Sequence, residues 1–133
     1  MIEKIPNFVE FRTFGQRIGS NYFGITKNGT ISFYSGFYEK NSIKNYKCCI
    51  ILYDKLQKLL GVQFGGDELG EGAYIINHNE EHNTGSIASQ NFFKVNPELN
   101  PAELKGKYIP EEFNEAARNN VFIIDLTKKI ETK

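Results

Sequence analysis

Apolar and polar positions divide this chain into short β-prone runs, separated by turns rich in glycine, asparagine or charged residues. The strongest run covers residues 46–53, whose central positions are apolar on both faces, as in a central strand. Further strands are predicted at residues 22–26, 30–34, 59–64, 73–77, 86–88, 107–110 and 121–126. Residues 8–14 alternate imperfectly, which predicts a strand or an extended arm. The pattern therefore predicts a protein built mostly of strands.

Helical segments are predicted to be few and short. Ser35 is placed to cap a short helix over residues 36–41, and Ser89 is placed to cap a similar segment in the second half. Residues 78–85 are polar and predict a loop, and a second loop is predicted between the prolines at 97 and 101.

Residues 54–60 allow two interpretations. Leu56, Leu59 and Leu60 have the i, i+3, i+4 spacing of a helix. Strand-like runs nevertheless flank this segment directly on both sides. We therefore prefer a hairpin, with a turn at residues 54–58 and a return strand at residues 59–64.

The two halves of the chain share a pattern that indicates an internal repeat. The matched positions are Gly29 with Gly85, Ile31 with Ile87, Phe37 with Phe93 and Ile43 with Leu99. A single unit of about 45 residues is too small to bury its apolar faces alone, whereas two fused units cover each other as a homodimer does. The expected fold is α+β and β-rich, with two β-α-β-β repeats fused into a small pseudo-dimeric barrel.

Four segments of the first half carry a resemblance to a known family. They are residues 25–33 (ITKNGTISF), a short helix through Phe37, residues 50–54 (IILYD) and residues 62–64 (VQF). Together they resemble the swapped-hairpin domain of AbrB/MazE-like transition regulators and antitoxins, clearly over residues 22–64 and weakly over residues 73–126. In that family two interlocked units form a small barrel, so the resemblance implies a tandem pseudo-dimer in one chain.

The same resemblance implies DNA binding through basic residues near the N-terminal strands, with repression of a promoter. The chain departs from the family at residues 33–40, which contain neither the usual proline nor an arginine-bearing helix, and residues 87–94 carry only Lys94. The two-half layout also looks like a group of uncharacterised bacterial and phage-type proteins, and this second likeness implies no function.

The expected organisation follows from the repeat and the linker composition. It comprises an N-terminal arm or strand (residues 1–21), a first AbrB-like repeat (22–64), a linker rich in glycine and acid (65–72), a divergent second repeat (73–126) and a charged tail (127–133), which is expected to fray.

Charge is balanced overall, with 16 basic and 16 acidic residues, but it is unevenly placed. Residues 1–47 hold seven basic residues against three acids, and residues 48–100 hold three against seven. The basic first third suggests phosphate contacts. The candidate nucleic-acid-binding residues are Arg12, Arg17, Lys27, Lys40, Lys44 and Lys47.

Aromatic residues crowd the same basic segment. They are Phe8, Phe11, Phe14, Tyr22, Phe23, Phe33, Tyr34, Phe37, Tyr38 and Tyr46. Aromatic rings beside cations on a β-surface suit single-stranded nucleic acid, because bases stack on the rings while phosphates pair with the cations. The alternative is that these rings fill the core of a protein that has no tryptophan.

Other motifs point away from catalysis. Residues 78–82 fit the H-x-x-E-H signature of zinc hydrolases, but they lie in a predicted loop and hold the only two histidines of the chain. The adjacent pair Cys48 and Cys49 is interpreted as two reduced thiols in a buried strand. There is no phosphate-binding glycine motif and no Gly-x-Ser-x-Gly elbow. We therefore expect no catalytic residues, no metal site and no cofactor.

The sequence favours a non-enzymatic nucleic-acid-binding or regulatory module, with DNA or single-stranded nucleic acid as the partner. The alternative is a protein-interaction module, such as an adaptor, subunit or inhibitor in a phage or defence-type system, with the acidic residues 67–82 as contact surface. No apolar run approaches the ~20 residues of a membrane helix, and the N-terminus lacks the apolar stretch of a signal peptide. A cytoplasmic protein with no membrane partner is therefore expected; the oligomeric state is left open.

Overall fold

The computed structural model describes residues 21–114 and 118–130. The strands are β1 (Phe23–Ile25), β2 (Ile31–Phe33), β3 (Cys48–Asp54), β4 (Leu59–Gly65), β5 (Tyr74–Ile75), β6 (Asn77–Asn79), β7 (Thr84–Ile87), β8 (Gly106–Tyr108), β9 (Glu111–Glu112) and β10 (Val121–Asp125). The helices are α1 (Ser35–Lys40), α2 (Gln90–Val95) and α3 (Pro101–Leu104), and two 3₁₀ turns cover Ile43–Asn45 and Asp67–Leu69. The candidates Arg12 and Arg17 lie outside the described residues.

The strands form two antiparallel sheets of five strands each. The first sheet has the order β6-β7-β2-β1-β8, and the second has the order β5-β3-β4-β10-β9. This architecture agrees with the β-rich α+β class. The expected closed barrel is not formed by the described residues, because both sheets are open: the first ends at β6 and β8, and the second ends at β5 and β9.

Both sheets draw strands from both halves of the chain. In the first sheet β2 pairs with β7, and Ile31 lies opposite Ile87. In the second sheet β4 pairs with β10, and Gly61 lies opposite Ile123. The first strand, β1, also pairs with β8. The two halves therefore interlock and share one hydrophobic core.

The β3–β4 hairpin is confirmed over the alternative helix at residues 54–60. The ladder runs from Cys48 opposite Gly65 to Asp54 opposite Leu59. The turn closes because a carboxylate oxygen of Asp54 accepts a hydrogen bond from the backbone N–H of Gln57 at 3.1 Å.

Three local predictions differ from the structure. The segment at residues 78–85 is not a loop throughout, because β6 pairs with β7. The predicted loop at 97–101 leads into α3, where Pro101 occupies the first turn and the Asn100 side chain accepts from the N–H of Ala102 at 3.0 Å. The hydroxyl of Ser89 makes no cap but donates to the carbonyl of Gly29 at 2.7 Å, because the β1–β2 turn lies against the start of α2.

The helix α1 begins one residue earlier than predicted. Ser35 is its first residue and not its cap, and the N-cap residue, Tyr34, makes no side-chain capping bond.

At the other end of the chain, the N–H of Ile130 donates to the carbonyl of Lys107 at 2.8 Å. Ile130, in the part of the predicted tail that the structure describes, is thus bridged to β8.

Phe37, on α1, lies at the centre of the core between the two sheets. Its ring centroid is 4.8 Å from that of Phe23 in the first sheet and 4.8 Å from that of Phe122 in the second, both edge-to-face. Of the aromatic residues in the basic segment, Phe23, Phe33, Phe37 and Tyr38 are buried, so the core interpretation is confirmed for these four.

Candidate nucleic-acid interface

The four described lysines among the candidates are all exposed, but the fold separates them. Lys27 lies in the β1–β2 turn, next to the start of α2. Lys40 is the last residue of α1. The residue before it, Glu39, accepts a hydrogen bond from Asn83 in the β6–β7 turn. This turn lies at the end of the first sheet opposite to Lys27. Lys44 follows in the first 3₁₀ turn.

Lys47 is held by the acidic segment that follows β4. Its Nζ atom lies 3.0 Å from a carboxylate oxygen of Asp67, and both side chains are largely exposed. This hydrogen bond and the charge of Asp67 raise the pKa of Lys47. The acidic region therefore partly neutralises one of the candidate cations.

The outer face of the first sheet is polar across all five strands. The registers place one row of residues side by side: Asn77, Ser86, Ser32, Gly24 and Lys107. Their neighbours along the strands, such as Phe23 and Phe33, point into the core because successive side chains alternate. The side chains in this row are therefore short, apart from Lys107 at the edge of the sheet.

Tyr22 and Tyr34 stand together at one edge of this face. Their ring centroids are 5.9 Å apart in an edge-to-face arrangement, and Tyr34 N–H donates to the carbonyl of Tyr22 at 3.0 Å. The Nζ atom of Lys107 lies 5.5 Å from each ring centroid. Gly24 makes room for this group, since a Cβ atom there would lie 2.8 Å from the Tyr34 ring.

Three lysines border the same surface around a cleft of about 410 Å³. They are Lys105, Lys107 and Lys129, and Thr26 and Ser32 add hydroxyl groups to the lining. No carboxylate is among the described residues that line the cleft. The arrangement concentrates positive charge and hydroxyl donors on one face, which suits an anionic ligand.

Lys129 reaches the cleft because residues 127–130 pack beside β8. Its Nζ atom donates to the carbonyl of Glu103 at 3.0 Å, and its aliphatic stem lies where a side chain at position 106 would be. Gly106 has a φ of 146°, a conformation that also requires glycine. The sequence does not predict Lys105, Lys107 and Lys129 as a group. They come together because β8 pairs with β1 and because residues 127–130 pack beside β8.

His78 uses both of its ring nitrogens within the protein. Nε2 lies 2.8 Å from the carbonyl oxygen of Tyr46, which only accepts, so Nε2 carries the proton. Nδ1 then accepts from the hydroxyl of Tyr38 at 2.7 Å. Among the described residues no group of three or more side chains could hold a metal ion. His78 thus connects β6 to Tyr38 of α1 and to the backbone at Tyr46.

The two cysteines are free and buried, as the sequence indicates. Burial raises the pKa of the Cys49 thiol to about 12, and Cys48 donates to the carbonyl of Gly66 at 3.2 Å. The environment of Cys49 is the opposite of that of a reactive thiol, which needs a lowered pKa and access to solvent.

The chain matches no family model, no curated protein and no solved structure. The likeness to AbrB/MazE-like domains therefore stays a prediction. In the part of the chain that the structure describes, none of the helices has the length and apolar character needed to cross a membrane.

Proposed function

We propose that this protein is a non-enzymatic module that binds single-stranded nucleic acid across the outer face of its first sheet. The observation that carries the proposal is the position of Lys107 over Tyr22 and Tyr34, beside Lys105 and Lys129. Rings and cations on a shallow polar sheet are the features with which proteins bind single strands.

Each group has a separate role in the proposed complex. The partly exposed rings of Tyr22 and Tyr34 stack with bases, and the lysines neutralise adjacent phosphates. The hydroxyl groups of Ser32 and Thr26 add hydrogen-bonding groups beside the lysines. Because none of these groups reads the edge of a particular base pair, binding is expected to show little sequence preference.

The interlocked halves support the second part of the proposal, an origin as two fused β-α-β-β repeats of the AbrB-like type. Ile31 and Ile87, which match in the two halves, lie opposite each other in the first sheet, as residues related by a two-fold axis would. Gly61 and Ile123 occupy the corresponding central position in the second sheet.

The flanking strand pairs follow the same relation. β3 pairs with β5 through Cys48 opposite Ile75 and Cys49 opposite Tyr74. Under an exchange of the halves this pair corresponds to β8 with β1, where Lys107 lies opposite Gly24 and Tyr108 opposite Phe23. If the chain is a duplicated unit, these two ladders are the same strand pairing formed once by each half.

The test is a fluorescence-anisotropy titration at low salt with labelled single-stranded and double-stranded oligonucleotides of mixed sequence. We expect the single strand to bind more tightly than the duplex. Tyr34→Ala should weaken single-strand binding by about 1–3 kcal/mol, whereas Lys55→Ala, in the β3–β4 turn of the other sheet, should leave it unchanged. Absence of binding at tens of micromolar protein would reject the proposal.

The alternative, a protein-interaction module, has one observation in its favour. Ile75 is 63% exposed, and residues 67–82, to which it belongs, carry five acids and no lysine or arginine. This combination suits a basic protein partner. Recovery of a stoichiometric protein partner free of nucleic acid, lost on Ile75→Asp, would select this alternative.

A further inference from the structure

The outer face of the second sheet is apolar, in contrast to the polar face of the first. The registers place Leu52, Gly61 and Ile123 side by side across β3, β4 and β10. With Ile109 and Phe113 they line a groove of about 790 Å³. The last two side chains are 58% and 50% exposed.

Gly61 forms the floor of this groove. A Cβ atom there would lie 3.3 Å from Cβ of Leu52 and 3.6 Å from Cγ1 of Ile123, so a larger side chain would fill the space between them. The groove is therefore shaped for side chains that come from another segment.

The rim of the groove is mainly acidic. Its charged lining residues are Asp54, Glu111, Glu112 and Asp125 on the negative side and Arg118 and Lys128 on the positive side. Arg118 is engaged with the side-chain oxygen of Gln63 at 3.0 Å. The surface thus favours an apolar segment that carries positive charge.

The described chain begins close to this groove. Phe23 lies opposite Tyr108 in the antiparallel pair of β1 and β8, so the extension of β1 to Asn21 runs beside Ile109, a groove residue. Residues 15–20, at about 3.3 Å per residue when fully extended, can span up to about 20 Å. The four strands that border the groove span only about 14 Å.

We propose that the groove binds residues 8–14 of the same chain. Four of these seven residues are apolar, namely Phe8, Val9, Phe11 and Phe14. Within the segment Arg12 balances Glu10, and Arg17 in the connecting residues makes residues 8–17 basic by one charge, which complements the acidic rim. This assigns Arg12 to the groove and leaves phosphate binding to the lysines of the first sheet.

Hydrogen–deuterium exchange on the full chain tests this proposal. We expect the amides of residues 8–14 to exchange at least about tenfold more slowly than in an unfolded chain, because a bound segment exchanges only while it is transiently released from the groove. Ile123→Asp should abolish this protection, whereas Ser86→Asp on the outer face of the first sheet should preserve it. Exchange at the unfolded rate in the wild type, or unchanged protection in Ile123→Asp, would overturn the proposal.

A second variant keeps the test decisive if Ile123→Asp does not fold. Phe11→Asp alters only the segment and should release it, so that residues 8–14 lose protection and the groove binds an apolar fluorescent dye. If residues 8–14 stay protected in Phe11→Asp and the variant binds no more dye than the wild type, the proposal is contradicted. Protection that grows with protein concentration also contradicts it, since the occupant is then a second copy.

Discussion

Asn41 and Asn96 end α1 and α2 with the same hydrogen bond. The side-chain amide of each donates to the carbonyl four residues earlier, Asn41 to Phe37 at 3.1 Å and Asn96 to Phe92 at 2.8 Å. In both cases the carbonyl belongs to a buried phenylalanine that anchors the helix in the core. Both helices thus end in the same way, with an asparagine side chain that donates to a carbonyl of the last turn.

Removal of the Ser89 hydroxyl should destabilise the protein. In Ser89→Ala the buried carbonyl of Gly29 loses its donor at 2.7 Å, and an unsatisfied buried acceptor costs about 1–3 kcal/mol. Urea denaturation followed by circular dichroism measures the change in the free energy of unfolding. Ser86→Ala, at a partly exposed position on the first sheet, is the control, with an expected change within about 0.5 kcal/mol. Equal effects of the two substitutions would contradict this role.

Phe37→Ala should be among the most destabilising substitutions. The ring contacts aromatic residues of both sheets, and its deletion leaves a cavity at their junction, at a cost of about 3–5 kcal/mol. The same denaturation experiment applies. Leu56→Ala removes a side chain that is 96% exposed and should have almost no effect. A loss below about 1 kcal/mol for Phe37→Ala would mean that the sheets pack without this ring.

Neither cysteine should react with iodoacetamide while the protein is folded. Burial raises the pKa of Cys49 to about 12, and the thiolate is the reactive form. Mass spectrometry after treatment at mildly alkaline pH should find both thiols unmodified, and the same treatment in urea should modify both. Rapid modification of Cys49 in the native protein would show that β3 is not a buried strand.

Tyr108 should make stability fall in alkali. Burial raises its pKa from 10.0 to about 12, so the folded state favours the neutral phenol. Its contribution is complete below pH 10 and is lost as the pH rises through 12. The free energy of unfolding should decline over that interval, and Tyr108→Phe should reduce the decline. An identical pH dependence in wild type and Tyr108→Phe would refute this assignment.

Local elements were the predictable part of the fold. The run at residues 46–53 and the turn after Asp54 are encoded by neighbouring residues, and β3 and β4 form as expected. α3 is also local, since Asn100 caps it and Pro101 occupies its first turn, but the two prolines at 97 and 101 equally predict a loop. The Asn-Pro pair is typical both of a turn and of the start of a helix, so it does not by itself distinguish the two.

The candidate site was less predictable, because it depends on which strands become neighbours. Lys107 reaches Tyr22 and Tyr34 only because β8 pairs with β1, across more than 80 positions of sequence. Charge counted along the chain favours Lys40 and Lys44, which are not among the residues that line the cleft beside these rings. Sequence proximity is a poor guide to a surface made by strands from both halves.

The salt dependence of single-strand binding tests the central claim most directly. If Lys105, Lys107 and Lys129 each neutralise one phosphate, the logarithm of the binding constant should fall with the logarithm of salt concentration with a slope of about −2. Lys107→Ala should make this slope less negative by about 0.7, and Lys55→Ala should not change it. A slope near zero in the wild type, or the same slope in Lys107→Ala, would contradict nucleic-acid binding at this face.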